Sequence, residues 1–471
     1  MMMNLPNMFL EQVKALLGPK GWTTDPDRLD QAATPWRGTY KGETPLILMP
    51  QTTEETSELV RLCSDHNIAI TPQGGNTGLV DAGTPHGEIT LSLRRMQRLR
   101  DLDPFNNSIT IEAGATLSTV QDLAIDADRF FPLSLGSEGT ATIGGLISTN
   151  AGGVSVLRYG MMRDLLLGLE VVLPDGDVWN GLSGLRKNNT GYDLKHLFAG
   201  AEGTLGIVTA ATLKLFPKTA KSTAWISCKT ASDIVKLLAL VREYAGDTVT
   251  SFEMIPANAI DMVRKEHPQI KDPNPSSHSW RVLCEISMPK EDQARSVLEE
   301  ALTAALEGGL ANDAIIAESL AQTQSFWTIR ETIPLSKRAY GTAINHDISV
   351  PVSRIPDFLD AADRELKLGY PEAEIIAFGH VGDGNLHFSA CEPADSGTPK
   401  LAANAEEITH LVHQLTTEFG GSISAEHGVG RLKRDELIGI RSPAATAAMQ
   451  GIKNALDPKN IMNPGRVVPR G

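Results

Sequence analysis

LGSEGTATIGGLISTNAGGVSVLRYG, residues 135–160, sets Gly136, Gly139, Gly144, Gly145, Gly152 and Gly153 among Ser137, Thr140, Thr142, Ser148 and Asn150. Glycine gives the backbone left-handed conformations and lets N–H groups approach an anion with no side chain between them. Small hydroxyl and amide groups on such a backbone suit an extended dinucleotide lying along the chain. TPQGGNTG (71–78) and AGAEGTLGIVT (199–209) have the same character. One such loop reads equally well as a tight β-turn, whereas three in the same half of the chain point to a pyrophosphate cradle. There is no G-x-G-x-x-G and no Walker A lysine motif, so the nucleotide is held otherwise than in a Rossmann domain or a P-loop.

The flanking sequence is strand-rich. Residues 46–49 read as a short strand, 54–66 as a helix with N-capping character at Thr52 and Thr53, and IAITP as a second strand, a βαβ unit delivering QGGNTG at its carboxyl end. From about 88 to 216, EITLSL, SITIEAG, LGLEVVLPDGDVW and LGIVTAATLKLF read as strands parted by Gly, Asn, Asp and Pro. Pro217-Lys218 and KTAKST mark a domain boundary. Beyond it, residues 222–392 read as an α+β module of two βαβ rounds, TAWISC to EISM and HDISVPV to NLHFSAC, followed by a helix over 404–421. NALDPKNIMNPGRVVP returns the chain to the first domain.

With 471 residues, the chain exceeds one ordinary core. Hydrophobic residues make up 41% and charged ones 21%, a globular composition; the net charge of −14 argues against nucleic acid and against anionic lipid. Cys63, Cys228, Cys284 and Cys391 are scattered with no C-x-x-C pair, which reads as isolated thiols in a reducing compartment. The amino terminus lacks the basic and apolar regions of a secretory signal, and no apolar run reaches the length of a membrane span. A cytoplasmic location follows as the expectation, with peripheral association to an electron-transport membrane left open.

FGHVGDGNLHF (378–388) and AEHGVG (425–430) place His380, His387, Glu426 and His427 beside turn-forming glycines. Imidazole and carboxylate are the ligand set of zinc, and a catalytic zinc keeps one position open. The spacing matches no short zinc signature, so the residues alone leave the metal undecided; the other histidines read as structural. If Glu426-His427 is extended chain, the two side chains point to opposite faces and only one ligates. Asp383 and Asn385 read as turn-shaping. Arg330 has the planar fork that takes a carboxylate through two parallel bonds, and the plain alternative is a surface pair with Glu331.

PQGGNTGLV, TIGGLISTNAGGVSVLRYG, GAEGTLGIVT, GHVGDGNLHF, AEHGVGRLKR and MNPGRVVP together resemble the FAD-dependent D-2-hydroxyacid dehydrogenases, a group of the vanillyl-alcohol oxidase-like flavoproteins that includes D-lactate, glycolate and D-2-hydroxyglutarate dehydrogenases. The likeness runs from about residue 45 to 468. It implies an α+β, two-domain flavoprotein: a PCMH-type FAD-binding domain over 1–218, a ferredoxin-like antiparallel cap over 219–425 for substrate, and a segment 426–471 returning to the FAD domain. By this resemblance non-covalent FAD is held by Pro72, Gly74, Gly75, Asn76, Thr77, Gly78 and Leu79. Pro132, Leu135, Gly136, Ser137, Thr142, Ile143, Gly144, Gly145, Ser148, Asn150, Gly152, Gly153, Tyr159 and Gly160 line the ring and ribityl chain. Glu202, Gly203, Gly206, Ile207 and Val208 support the adenine end, and Asn463 belongs to the return. His380, His387 and Glu426 match the ligands of a divalent metal, zinc by expectation. His427 matches the catalytic base, and Arg330, Asn345 and Ser389 fall at substrate-binding positions.

The implied reaction oxidises a D-2-hydroxy acid to the 2-keto acid, with hydride passing to flavin N5 and electrons leaving to a separate acceptor: a quinone, an electron-transfer flavoprotein or a cytochrome. Relatives that take D-2-hydroxyglutarate carry threonine, lysine and asparagine where this chain has Pro334, Asn345 and Ser389. Recognition of a second carboxylate is thereby put in question, with Lys337 or Arg338 as substitutes, and D-lactate or an apolar-tailed acid equally open. The other readings are a D-lactate or glycolate dehydrogenase-type subunit of an electron-transfer complex, and a metal-dependent hydrolase without flavin. A homodimer is left open.

Overall fold

The computed structural model describes residues 5–38, 40–275, 278–393 and 401–468, the side chain of Arg338 excepted. By its own contacts the chain divides into two compact units. The first holds Met1–Gly153, Gly160–Lys218 and Glu426–Gly471, and the second holds Val154–Tyr159 and Thr219–Ala425.

In the first unit a four-stranded sheet runs Trp22–Thr23, Ile47–Leu48, Ile89–Ser92, Ile70–Gln73. The helix Thr53–Asp65 starts at Thr52, whose hydroxyl accepts from the Glu55 N–H at 3.1 Å. It does connect Ile47–Leu48 to Ile70–Gln73, but those strands are not neighbours: Ile89–Ser92 lies between them and pairs parallel with both. The expected βαβ unit is thus a three-strand arrangement closed by a later strand. Ile89–Ser92 is buried along its whole length, as a central parallel strand must be.

A five-stranded antiparallel sheet follows, in the order Leu99–Asp103, Ser108–Glu112, Ile207–Lys214, Leu166–Val172, Val178–Asn180. The glycine-rich stretch between its strands contains a helix, Ile143–Thr149, which ends on Asn150 in the left-handed conformation. A Cβ on Gly144 would stand 2.9 Å from the Ala113 Cβ, so glycine lets this helix lie directly on the sheet edge. The carboxyl-terminal segment contributes helices Arg434–Ile440 and Pro443–Leu456 and then meets Ile70, whose N–H donates to the Ile461 carbonyl at 2.8 Å.

The second unit is built on one seven-stranded sheet: Asp313–Ile316, Ala220–Cys228, Trp280–Met288, Val249–Pro256, Glu374–His380, Asn385–Pro393, Gly341–Ser349. All its pairings are antiparallel. Its first four strands in chain order occupy the second, fourth, third and first places, the ferredoxin-like interleave. The two βαβ rounds read from the sequence are not what forms. The helix Ala231–Ala245 leads into Val249–Pro256, a strand the reading passed over, and this strand separates Glu374–His380 from Trp280–Met288.

Alternation along the strands sorts side chains to two cores. Ala377 and Phe388 join the larger one, under helices Ala231–Ala245, Glu291–Glu307, Ile355–Gly369 and Ala405–Glu418. Ile376 and Phe378 join the other, against Phe326, Ile329 and Ile333 of the helix Leu320–Tyr340 and against Ala257–Glu266. Burying each of these large side chains is worth about 1.5–3 kcal/mol, enough to hold Leu320–Tyr340 helical despite Pro334 inside it.

Candidate active site

The first unit encloses a cavity of about 360 Å³. Of the residues assigned to the cofactor, Pro72, Gly74, Gly75, Asn76, Thr77, Gly78, Leu79, Leu135, Gly136, Ser137, Thr142, Gly144, Gly145, Ser148, Gly152, Glu202, Gly203, Gly206, Ile207 and Val208 line it. Others stand back from it. Pro132 and Ile143 are buried in the packing, Asn150 accepts from the Arg163 N–H, and Gly160 makes a left-handed turn over Asp164. Tyr159 belongs to the second unit. A Cβ on Gly153 would lie 2.2 Å from the Ser134 carbonyl oxygen, a need of the local backbone. Tyr40, Ala82, Gly83, Thr84, Leu93 and Ala113 also line the cavity and carried no motif to reveal them; Gln73 and Thr149 line it too, from within TPQGGNTG and the 135–160 stretch.

Two features fit this cavity to an extended nucleotide. The loop approaches the helix Ile143–Thr149 so closely that a Cβ on Gly74 would meet Thr142 Oγ1 at 2.1 Å, and one on Gly75 would meet the Thr140 carbonyl oxygen at 2.1 Å. Thr142 Oγ1, at the cavity wall, is a buried hydroxyl with no hydrogen-bond partner among the described residues. A buried polar atom without a partner costs about 1–3 kcal/mol, which a bound ligand's polar atom recovers.

Glu202 lines the cavity, but its carboxylate is turned to the return segment and accepts from the N–H groups of Val429 and Gly430, each at 2.7 Å. Burial raises its proton affinity above the carboxylate norm, and those two N–H groups pull the other way. Asn463 donates to the carbonyls of Ala82 and Glu202 at 2.9 and 2.7 Å, tying two cavity loops together. The loop Glu426–Gly430 is therefore clamped. Gly428 and Gly430 are left-handed, and a Cβ on Gly430 would strike the Val80 carbonyl. Glu426 and His427 both line the same cavity, on irregular chain. The extended-chain argument for opposite faces fails here because the glycines turn the segment.

In the second unit, one sheet face carries a row of polar side chains. His380 ends the strand Glu374–His380 and His387 lies near the start of Asn385–Pro393, across the turn at Gly384. Their ring centroids are 5.6 Å apart and the planes 75° to each other. His380 pairs through Nδ1 with Glu253, the residue opposite it in the sheet. His387 Nδ1 is 3.8 Å from Asp347 Oδ1, again the cross-strand neighbour. An imidazole backed by a carboxylate is the usual arrangement of a metal-ligating histidine, since the backing group fixes tautomer and orientation. Both histidines fit that donor set.

Arg330, from the helix Leu320–Tyr340, is 7% exposed and donates through Nε to Glu253 Oε2 at 2.6 Å. The surface pair with Glu331 is thus not the arrangement found. Burial alone would raise the Glu253 proton affinity, but the neighbouring Arg330 and His380 outweigh it and hold the carboxyl well below the usual range. The Arg330 guanidinium lies 4.6 Å from the ring centroid of Phe378. Asn345 and Ser389 are cross-strand partners on this face, and Lys337 donates to both. Asp383 accepts from the Asn385 N–H at 3.1 Å, and Asn385 donates to Asp347 at 3.0 Å, so both shape the turn. The sequence reading missed Glu253; its one signal is an acid inside the apolar run SFEMIP.

Comparisons with known proteins add to this geometry. The family described as FAD binding domain matches residues 44–181, and the one described as FAD linked oxidases, C-terminal domain matches 218–467. The chain is 38% identical to the mitochondrial D-2-hydroxyglutarate dehydrogenase of Arabidopsis thaliana over 460 residues, covering 97% of this chain and 80% of that protein. It is 34% identical to the D-2-hydroxyglutarate dehydrogenase of Xanthomonas citri pv. viticola, covering 94% and 93%. Among solved structures, p-cresol methylhydroxylase with substrate bound has a TM-score of 0.76 at 18% identity, covering 99% of this chain and 98% of that one, a likeness of fold.

Proposed function

We propose, for a chain that belongs to the FAD-dependent D-2-hydroxyacid dehydrogenases and is an FAD-dependent oxidoreductase acting on CH–OH groups, that its substrate is a D-2-hydroxy acid and its product the 2-keto acid. The observation that carries the reading is the buried row Arg330–Glu253–His380. Glu253 fixes a carboxylate-binding fork and a metal-binding imidazole with one side chain, so acid and hydroxyl are held in fixed relation.

The glycine loops would hold FAD without a covalent link, and the bound flavin would supply the acceptor for the α-hydrogen as hydride. A divalent cation, zinc by its donor set, would supply positive charge favouring ionisation of the substrate hydroxyl. His380, His387 and Glu426 are the residues that would hold it. The chain's own groups do the rest. Arg330 grips the carboxylate through its planar fork. His427 takes the hydroxyl proton on an imidazole nitrogen, a role suited to a group whose ordinary pKa is about 6.5. Gly428 and Gly430 set the turn that presents it at the cavity. Electrons then leave to a separate acceptor, and we place the protein in a reducing compartment, where its four buried thiols stay free. Among the described residues no helix is long and apolar enough to cross a membrane.

Anaerobic mixing tests this reading. A D-2-hydroxy acid should bleach the flavin absorbance while its L-enantiomer leaves it unchanged. A flavin that no D-2-hydroxy acid reduces overturns it.

A further inference from the structure

Glu202 joins the backbone that lines the nucleotide cavity to the loop that carries His427. Its own backbone is left-handed, at φ 52°, a conformation glycine adopts freely and a residue with a side chain does not. Such a residue persists only where its surroundings fix it, and three contacts do so here. Its N–H donates at 2.8 Å to the carbonyl of Ser148, on the helix Ile143–Thr149. Its carbonyl accepts from Asn463 Nδ2 at 2.7 Å. Its carboxylate, on a residue 5% exposed, gives one oxygen to the Val429 N–H and the other to the Gly430 N–H.

The left-handed Gly428 and Gly430 turn those consecutive N–H groups to one side, a concavity suited to an anion. The anion that fills it is internal. A Cβ on Gly428 would stand 2.6 Å from Glu202 Oε1, so glycine lets the carboxylate come this close. From its other side the loop is held by the stretch after QGGNTG. The Val80 carbonyl accepts from the Arg431 N–H at 3.1 Å, and Arg431 Nε lies 3.7 Å from Asp81 Oδ2. Asn463 ties the two supports together, donating to the Ala82 carbonyl as well as to that of Glu202. Ala82, Ser148 and Glu202 line the cavity, as do Glu426 and His427. The backbone that meets the nucleotide is therefore the backbone on which the His427 loop rests.

We propose that Glu202 is a positioning residue that couples nucleotide binding to the placement of His427; this rests on the reading of His427 as the base. Cavity and loop favour one conformation of Glu202. By linkage, the bound nucleotide and the ordered loop then strengthen each other by the same factor. A nucleotide bound without the carboxylate clamp leaves the imidazole out of place, so the loss falls on the chemical step and not on binding of the acid.

The test compares the flavin-loaded wild-type protein with Glu202→Gln and Glu202→Asp. Glutamine has the same length but one acceptor oxygen for two N–H groups. Aspartate tolerates the left-handed backbone but is one methylene too short to reach them. Hydrogen exchange at Val429 and Gly430, release of FAD followed by flavin fluorescence, and stopped-flow flavin reduction at saturating FAD are each measured. Reduction uses the D-2-hydroxy acid that bleaches the wild-type flavin fastest. In the wild-type protein both amides should exchange at least about 10²-fold more slowly than in unstructured chain. In each variant, exchange and FAD release should both speed up by about 10-fold. Flavin reduction should slow by about 10- to 10²-fold with the half-saturating acid concentration unchanged, and excess FAD should not restore it. Full restoration by excess FAD overturns the proposal, because Glu202 then serves the cofactor alone. Unprotected Val429 and Gly430 amides in the wild-type protein overturn it with no variant needed. Wild-type flavin reduction in His427→Ala is a separate result: it removes the base reading and leaves exchange and FAD release to decide the coupling.

Discussion

Glu253 Oε2 accepts a hydrogen bond from Arg330 Nε at 2.6 Å, and the two side chains are 0% and 9% exposed. A strand residue from the middle of the sheet thus holds an arginine from the helix above it, while its other oxygen faces His380. Removing one partner of a buried pair leaves an uncompensated charge, which costs about 3–5 kcal/mol. Glu253→Ala should lose about that much stability in urea unfolding. Glu253→Gln should lose less, yet raise KM for the hydroxy acid, because the guanidinium is then held by a neutral oxygen. Equal stability of all three proteins would dispose of this account of the pair.

Adjacent glycines in NAGG should behave differently. A Cβ on Gly152 would stand 2.5 Å from Glu426 Oε1, the far end of a side chain that can swing away. A Cβ on Gly153 would stand 2.2 Å from a backbone carbonyl that cannot. Gly152→Ala should fold with flavin bound and turn over at least about 10-fold more slowly, with less bound metal, because the displaced carboxylate is a proposed ligand. Gly153→Ala should destabilise by about 1–3 kcal/mol, as overpacking does. Paired thermal melts and metal analysis separate the two.

These glycines also show how far the sequence could be read. Gly74, Gly75 and Gly144 make close backbone approaches that only glycine permits, so the pattern announced the cradle. His380, His387, Glu426 and His427 stood out because they cluster by turn-forming residues. The helix Leu320–Tyr340 was hidden by Pro334, which breaks the usual pattern and is held by tertiary packing of Phe326, Ile329 and Ile333. Glu253 was invisible for the opposite reason: its partners Arg330 and His380 lie far along the chain, and only strand register brings them together. The interposed strand Ile89–Ser92 likewise follows from pairing, which local periodicity does not encode.

His427→Ala should slow reduction of the flavin by roughly 10²-fold or more while leaving its absorbance in place, the ordinary size of a general-base contribution. Stopped-flow bleaching measures it directly. Glu202 clamps the loop through the N–H groups of Val429 and Gly430, so the fold should persist. Turnover at the wild-type rate would take His427 out of the chemistry.

Chelation gives an independent check. If His380 and His387 hold a cation, dialysis against a chelator should abolish turnover without changing the melting temperature by more than a few degrees, since Glu253 and Asp347 still orient both rings. Restoration by zinc, and its failure in His387→Ala, should follow. A fully active metal-free protein would refute the assignment.

The acid side of the stability profile should report on Glu88 and Arg466. Arg466 is fully buried and donates through Nη1 to Glu88 Oε1 at 2.8 Å. Burial pushes the Glu88 carboxyl up, but the Arg466 charge and the His86 N–H outweigh it, so its pKa in the folded chain lies below the ordinary value. The folded state then binds the proton less readily than the unfolded one. The pair's contribution is full above the unfolded carboxylate value, roughly 4.3, and is lost as pH falls through the lower folded value. Urea midpoints of the wild-type protein should therefore drop steeply below about pH 4.3. Glu88→Gln should start lower, by about 3–5 kcal/mol, and show a shallower acid slope, because the residue that took up the proton is gone. Parallel acid slopes in the two proteins would mean that this pair does not carry the dependence.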